Sequence, residues 1–493
     1  MRPTFEHTYA EAVPALSTDW SVPAAPAPQL VVLNAPLADE LGWQISWLRS
    51  EEGLRLLTGT APDGARTTAQ AYAGHQFGGY SPALGDGRAL LLGEVVDAGG
   101  ARRDVHLKGS GRTPFARRGD GKAVLGPMLR EYLVSEAMYA LGVPTTRSLA
   151  VVTTGEQVAR DGRMQPGAVL ARVASSHLRV GTVQYATASG DETTLRALLD
   201  YTISRLYPEV AEADRPYLAL FEAVALRQAR LVARWMSVGF IHGVMNTDNT
   251  TLSGQTIDYG PCAFMDSYDP ATVFSSIDYQ GRYAYGNQPA ILQWNLARLA
   301  EAMLPVLSNS GEKPDETPGE NPQEAIEAAQ AVLGRFAEAY LADYADLMAA
   351  KLGLPEASAT SGPLVNDLLE LMQEHRVDFT LFFRTLGQGQ GRQAARSLFD
   401  EPHAFDVWAD RRDALLVDEP DVVAARMKAT NPVYIPRNHR VEEALTAAEA
   451  GDMAPFERLL EAVTHPYDER PEFSDLAGPA PEGGPAHVTY CGT

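Results

Sequence analysis

Residues 241–266 read IHGVMNTDNTTLSGQTIDYGPCAFMD. Between apolar runs the stretch holds one His, three Asp, two Asn and a Cys. Asp248 and Asn249 stand side by side, and Asp258 opens an Asp-Tyr-Gly soon after. Carboxylate and amide oxygens are the ligands a hard divalent cation selects.

The spacing sharpens this reading. In a protein-kinase catalytic loop, H-R-D-x-x-x-x-N, the metal-binding Asn falls seven residues after the His. His242 and Asn249 keep that interval. The catalytic Asp of the pattern falls at position 244, which is Val244 here. The metal ligands are kept and the usual base is lost.

Upstream, residues 67–96 alternate glycine turns with β-prone runs. Gly74, Gly78, Gly79, Gly85 and Gly87 suit tight turns or close approach of backbone to a ligand. Residues 104–108 (DVHLK) read as a strand ending in Lys108. A loop with Gly119, Asp120 and Gly121 follows, and then an apolar stripe predicts a helix over 124–141. Glycine strands, a strand Lys and a helix carrying Glu follow the order of a kinase N-lobe, where the Lys pairs with the Glu. The helix offers Glu131 and Glu136, about 140° apart around its axis. Only one can face Lys108, and periodicity mildly favours Glu136. Residues 147–173 read as a hairpin, with Arg172 at its end and Arg179 just beyond as candidate phosphate forks.

Downstream the pattern is helical: 214–239, then from 288 on, with long helices predicted over 322–354 and 364–386 and a polar loop at 308–322. Residues 431–445 predict a proline-bounded turn entering a helix. Residues 1–36, rich in Pro and Ala, read as an extended arm laid over the surface, and the tail after Pro466 reads as irregular.

Composition sets the remaining limits. The chain has 493 residues and a net charge of −22, from 41 basic and 63 acidic side chains. That balance opposes general binding to nucleic acid or anionic lipid. No apolar run of ~18 residues predicts a membrane span, and the N-terminus has no secretory pattern. A cytoplasmic protein of bacterial type is expected. The two cysteines, Cys262 and Cys491, are too few for a disulfide framework. One flanks the Asp-Tyr-Gly and the other lies third from the end, so they form a candidate reversible redox pair.

Several blocks in order, GHQFGGYSPALGDGRALLLGE, HLKGSGRTPFARRGDGKAVL, REYLVSEAM, FIHGVMNTDN, TIDYGPCAFMD and NPVYIPRNH, resemble the selenoprotein O family over nearly the whole chain. The resemblance implies an α+β, protein-kinase-like two-lobed fold with an extended, mostly helical C-terminal part. The parts would be an arm and helical extension at 1–66, an N-lobe at 67–185, a C-lobe at 186–310 and a helical extension at 311–493. It implies a protein adenylyltransferase that binds ATP in a flipped orientation and moves AMP to Ser, Thr or Tyr hydroxyls. UTP serves as a second donor in some members, and self-modification is an expected side reaction. Carried over, Asp248 is the proton acceptor, while Asn249 and Asp258 hold Mg²⁺ or Mn²⁺. Lys108 pairs with Glu131 rather than Glu136. Gly85, Gly87, Arg88, Lys108, Asp120, Gly121, Arg172, Arg179 and Asp258 contact the nucleotide. The chain ends Cys-Gly-Thr where family members often have Cys or selenocysteine followed by two Ser, so selenium chemistry is not expected. Two other readings stay open: a kinase using Asp248 as its base, and an inactive nucleotide-binding scaffold.

Overall fold

The computed structural model describes residues 2–60, 66–160, 162–308, 322–481, 483 and 487–490. Its strands, in chain order, are β1 (Ser17–Asp19), β2 (Gln29–Leu33), β3 (Thr68–Gln70), β4 (Gly74–Gln76), β5 (Gly79–Ser81), β6 (Ala89–Val96), β7 (Arg102–Lys108), β8 (Ala123–Val124), β9 (Arg147–Arg160), β10 (Arg163–Ala174), β11 (Phe240–Ile241) and β12 (Ala263–Phe264). The main sheet runs β1-β3-β6-β7-β10-β9-β2, with β8 paired to β10. Its pairings are antiparallel. Two small two-stranded sheets, the β4–β5 hairpin and the β11–β12 pair, stand off this sheet.

The alternation of a pleated strand sorts its side chains by face. Val105 and Leu107 of β7, with Val169 and Ala171 of β10, pack on helices Ala35–Glu40 and Glu51–Leu57. The other face carries His106 and Lys108, and the β7/β10 register sets Arg172 opposite His106 and Leu170 opposite Lys108. Ala168 and Leu170 on that face pack against helix Leu125–Ala140. The same alternation therefore builds an apolar core on one side and aims a Lys and an Arg into the other.

The N-terminal segment departs from the expected surface arm. β1 pairs with β3 and β2 pairs with β9, so this segment supplies both edges of the sheet. Pro23, Pro26 and Pro28 all lie in the connection between β1 and β2. Proline cannot donate to a ladder, so there it interrupts no pairing.

The largest core is helical and is centred on Pro216–Ser237, Gln288–Leu307 and Pro322–Lys351. The helix expected over 364–386 is two, Ser361–Glu374 and Phe379–Leu386. Arg376 takes a left-handed φ of 52° between them, and the Asp378 side chain caps the second helix at Leu381 N, 2.7 Å away. The apolar stripe runs through the break, so periodicity alone does not reveal it. Helices Asn438–Glu449 and Ala454–Val463 return to pack on Leu125–Ala140, tying the C-terminal part to the sheet.

Candidate active site

Helix Pro216–Ser237 leads into β11, and the opening stretch follows it. Buried His242 is fixed at both ring nitrogens: Val244 N donates to Nδ1 at 3.3 Å, and Nε2 donates to Ile257 O at 2.9 Å. The ring thus ties the start of the stretch to the residue before Asp258. Residues 250–252 pair with 178–180, and Thr256 pairs with Thr145. These contacts carry Asp248 and Asp258 to the polar face of the main sheet. Asp258 has a left-handed φ of 60°, a conformation that Asp tolerates better than most residues. Helix Leu125–Ala140 steadies the next turn, where Arg130 donates to the carbonyls of Gly260 and Cys262.

Three cations converge on Asp258. Lys108 Nζ lies 2.7 Å and Arg172 Nη1 2.9 Å from its Oδ1, while Arg179 Nη1 lies 3.4 Å from Oδ2. Glu131 faces the same pair, with Oε2 2.6 Å from Lys108 and Oε1 3.2 Å from Arg172. Burial pushes the Asp258 carboxyl up, but Lys108, Arg172 and Arg179 outweigh it and hold it well below the usual carboxylate range. Arg172 Nη2 also donates to His106 Nδ1 at 3.0 Å, and His106 Nε2 donates to Asp86 Oδ2 at 2.9 Å. That arrangement needs a neutral ring with its proton on Nε2, and burial lowers the His106 pKa accordingly. Arg179 lies over the Tyr72 ring, 4.4 Å from its centroid. The Nε atoms of Arg172 and Arg179 are buried with no hydrogen-bond partner among the described residues.

Asp248 sits beside this cluster. Arg179 Nη1 donates to its backbone carbonyl at 2.9 Å. Gln76 Nε2 donates to Oδ2 at 3.1 Å, and Oδ1 is buried with no partner among the described residues. Burial pushes the Asp248 carboxyl up to about 6 against the Gln76 hydrogen bond and Arg179. Asn249 donates from Nδ2 to Val244 O at 3.0 Å, and its Oδ1 takes no hydrogen bond from any described residue.

The remaining candidates sit apart or act through packing. Asp120 is bound to Arg160 on β9 (2.7 and 2.9 Å), not to the Lys108 cluster. A Cβ on Gly121 would fall 2.2 Å from Arg112 N, and one on Gly85 would fall 2.6 Å from Phe115 Cγ. A Cβ on Gly87 would fall 3.0 Å from the Phe115 carbonyl oxygen. These glycines let the 84–88 and 109–122 loops lie against each other. Arg88 joins them through its carbonyl, which accepts from Gly109 N next to Lys108.

Periodicity pointed to Glu136, and the structure corrects it. Helix Leu125–Ala140 is buried nearly all round, both Glu included, so the apolar stripe does not mark the side facing Lys108. Glu136 instead binds Arg147 and Ser148 N. The redox pair cannot be followed in full, because Cys491 lies outside the described residues. Cys262 is buried, and its thiol is pushed up to about 12 by burial. Thr489 Oγ1 donates to Pro261 O at 2.7 Å.

Sequence reasoning missed Asp86, His106 and Gln76, and it singled out Gly74 without placing it against Asp248. Asp86 lies between two glycines that were singled out, and His106 is two residues before Lys108. Strand alternation from Lys108 could have found His106. No signal along the chain links Gln76 to Asp248.

Among the described residues no helix is long and apolar enough to cross a membrane. The model of the protein adenylyltransferase SelO family matches residues 3–464. A protein nucleotidyltransferase YdiU of Mycobacterium sp. (strain KMS) is 58% identical over 489 residues, 98% of each chain. The protein of that name from Mycolicibacterium smegmatis is 56% identical, over 99% of this chain and 98% of the relative. One from Cereibacter sphaeroides (strain KD131) is 56% identical over 99% of both. With matches spanning nearly its full length, the chain belongs to the protein adenylyltransferase SelO family.

Proposed function

We propose that the protein transfers a nucleoside monophosphate from a nucleoside triphosphate to hydroxyl groups of proteins, AMP from ATP first and UMP from UTP as the second donor. The observation that carries this reading is the convergence of Lys108, Arg172 and Arg179 on Asp258 beside the Asp248 carboxylate. In this reading β3, β6, β7, β8, β9 and β10 of the main sheet, with helix Leu125–Ala140, belong to the N-lobe of a kinase-like fold (67–185), and 186–310 is its C-lobe. Residues 1–66 and 311–493 are additions to it.

Lys108 and the two arginines, whose Nε donors have no partner among the described residues, suit the β- and γ-phosphates. That orientation turns the α-phosphorus toward Asp248. The acceptor's O–H proton passes to the Asp248 carboxylate as its oxygen bonds to the α-phosphorus. The bridging P–O bond to the β-phosphate breaks, and pyrophosphate leaves. Proton removal of this kind contributes ~10²–10⁴-fold.

Among the described residues no group of three or more His, Cys, Asp or Glu side chains could hold a metal ion. Asn249 Oδ1 and the Asp258 carboxylate do fit an ion that takes its other oxygens from phosphates and water, as Mg²⁺ commonly does. Bound there, Mg²⁺ or Mn²⁺ would supply neutralisation of charge on the phosphate oxygens.

Separate incubations with α-labelled ATP, γ-labelled ATP and α-labelled UTP, with divalent metal, test the reading. Label from the α position on this protein or on added proteins, with the matching AMP or UMP mass, is the expected result. Label from the γ position would make it a kinase, and no label at all would make it a scaffold.

A further inference from the structure

The β4–β5 hairpin lies across the Asp248 segment and is fastened to it at three successive residues. His75 N donates to Thr247 Oγ1 at 2.7 Å. Gln76 Nε2 donates to Asp248 Oδ2 at 3.1 Å. Phe77 N donates to Asn246 Oδ1 at 3.2 Å and to the Tyr283 hydroxyl oxygen at 3.0 Å. The first contact is locked by a closed ring: Thr247 Oγ1 donates to Gln184 Oε1 at 2.8 Å, and Gln184 Nε2 donates to His75 Nδ1 at 2.9 Å. The third is locked by the Tyr283 hydroxyl, which donates to Asn246 Oδ1 at 2.7 Å. The residues on either side of Gln76 are therefore pinned, and its side chain is held over the carboxylate.

The two Asp248 oxygens differ. Oδ1 is sealed against Gly74, where a Cβ would come within 2.4 Å of it. Oδ2 takes one hydrogen bond, from Gln76, and a carboxylate oxygen can accept a second. Among the described residues Gln76 is the only side chain that donates to this carboxylate.

We propose that Gln76 is a positioning residue for the transfer reaction: its amide fixes the Asp248 carboxylate so that Oδ2 receives the proton of the acceptor hydroxyl. This rests on the reading of Asp248 as proton acceptor. Gln76 binds neither the phosphate-facing cations nor Asn249, so its contribution falls on the chemical step and not on nucleotide affinity. Near-attack geometry of this kind is steep: misplacing a reacting group by about 1 Å costs on the order of 10²-fold.

The test is steady-state transfer from α-labelled ATP by the full chain carrying Gln76→Met, which keeps length and removes the donor. Gln76→Asn keeps an amide but shortens its reach and serves as the second variant. For both, kcat should fall about tenfold or more with the nucleotide KM within about twofold of the parent. Thermal unfolding identifies a variant that is not folded, and the folded one then decides. A smaller fall in kcat, or a nucleotide KM that rises as far as kcat falls, would overturn the proposal. Asp248→Asn is measured alongside. If it transfers at the parent rate, the reading of Asp248 has failed. If it is inactive while Gln76→Met keeps the parent kcat, only the role of Gln76 has failed.

Discussion

Lys108 and Glu131 meet at 2.6 Å, and both side chains are less than 10% exposed, at 8% and 3%. The other oxygen of Glu131 faces Arg172 at 3.2 Å, so one carboxylate serves two buried cations. Removing one partner of a buried pair costs more than the pair itself contributes, because the remaining charge stays in a poor solvent. Glu131→Gln should therefore lower stability by about 2–4 kcal/mol. Asp258, which still faces both cations, keeps the loss from being larger. Urea unfolding near neutral pH checks it, and an unchanged midpoint would show that Glu131 is not needed to balance the cluster.

Asp258 offers a cleaner separation of fold from chemistry. Its φ of 60° suits Asn as well as Asp, so Asp258→Asn keeps the backbone and removes only the charge. Transfer should drop on the order of 10²-fold or more, as when a group that stabilises developing charge is lost. Labelling with α-labelled ATP reads the loss, and circular dichroism reads the retained fold. Transfer at the parent rate would remove Asp258 from the reaction.

Legibility in the sequence followed distance along the chain. His242, Asn249 and Asp258 lie in one short stretch with kinase-like spacing, and they could be read directly. The Lys108–Glu131 pair needed the family resemblance, because a helix buried on every side gives no amphipathic signal to choose between two acids. Gln76 and Gly74 reach Asp248 from more than 170 residues upstream, and glycine-rich spacing there says turn without saying where the turn packs. The edge strands β1 and β2 were hidden for a related reason. Composition marked the segment as extended, but an extended segment pairs or stays free according to the edges it meets.

The buried Asp248 carboxyl makes stability depend on pH in a stated direction. Its pKa is about 6 when folded, against 3.8 for an ordinary Asp. Between those values the folded chain binds a proton that the unfolded chain does not, so stability falls as pH rises through the window. Above about pH 6 the full penalty applies. Asp248→Asn removes it, so without nucleotide and metal the variant should be more stable than the parent near pH 8, by at most about 3 kcal/mol at about 1.4 kcal/mol per unit. Near pH 4 the two should agree. Denaturant midpoints at the two pH values decide, and a gain that persists at the lower pH would assign it to something other than this proton.

Gly74 tests whether the hairpin must lie so close. A Cβ there would fall 2.4 Å from Asp248 Oδ1 and 2.9 Å from its Cβ and Cγ. The carboxylate cannot simply step aside, because Arg179 holds the Asp248 carbonyl and Gln76 holds Oδ2. Gly74→Ala must turn the carboxylate or lift the hairpin, and either change removes Oδ2 from its place. Transfer should fall on the order of 10²-fold with nucleotide affinity little changed, since the three cations at Asp258 are untouched. Overpacking of this size also costs about 1–3 kcal/mol of stability. Gly79→Ala is the matched control on the same hairpin, because its Cβ would meet only Gln76 O, at an ordinary 3.5 Å. If both variants lose transfer equally, hairpin flexibility rather than the approach to Asp248 governs the rate. If Gly74→Ala alone loses it, the missing methyl is what lets the carboxylate occupy its position under the hairpin.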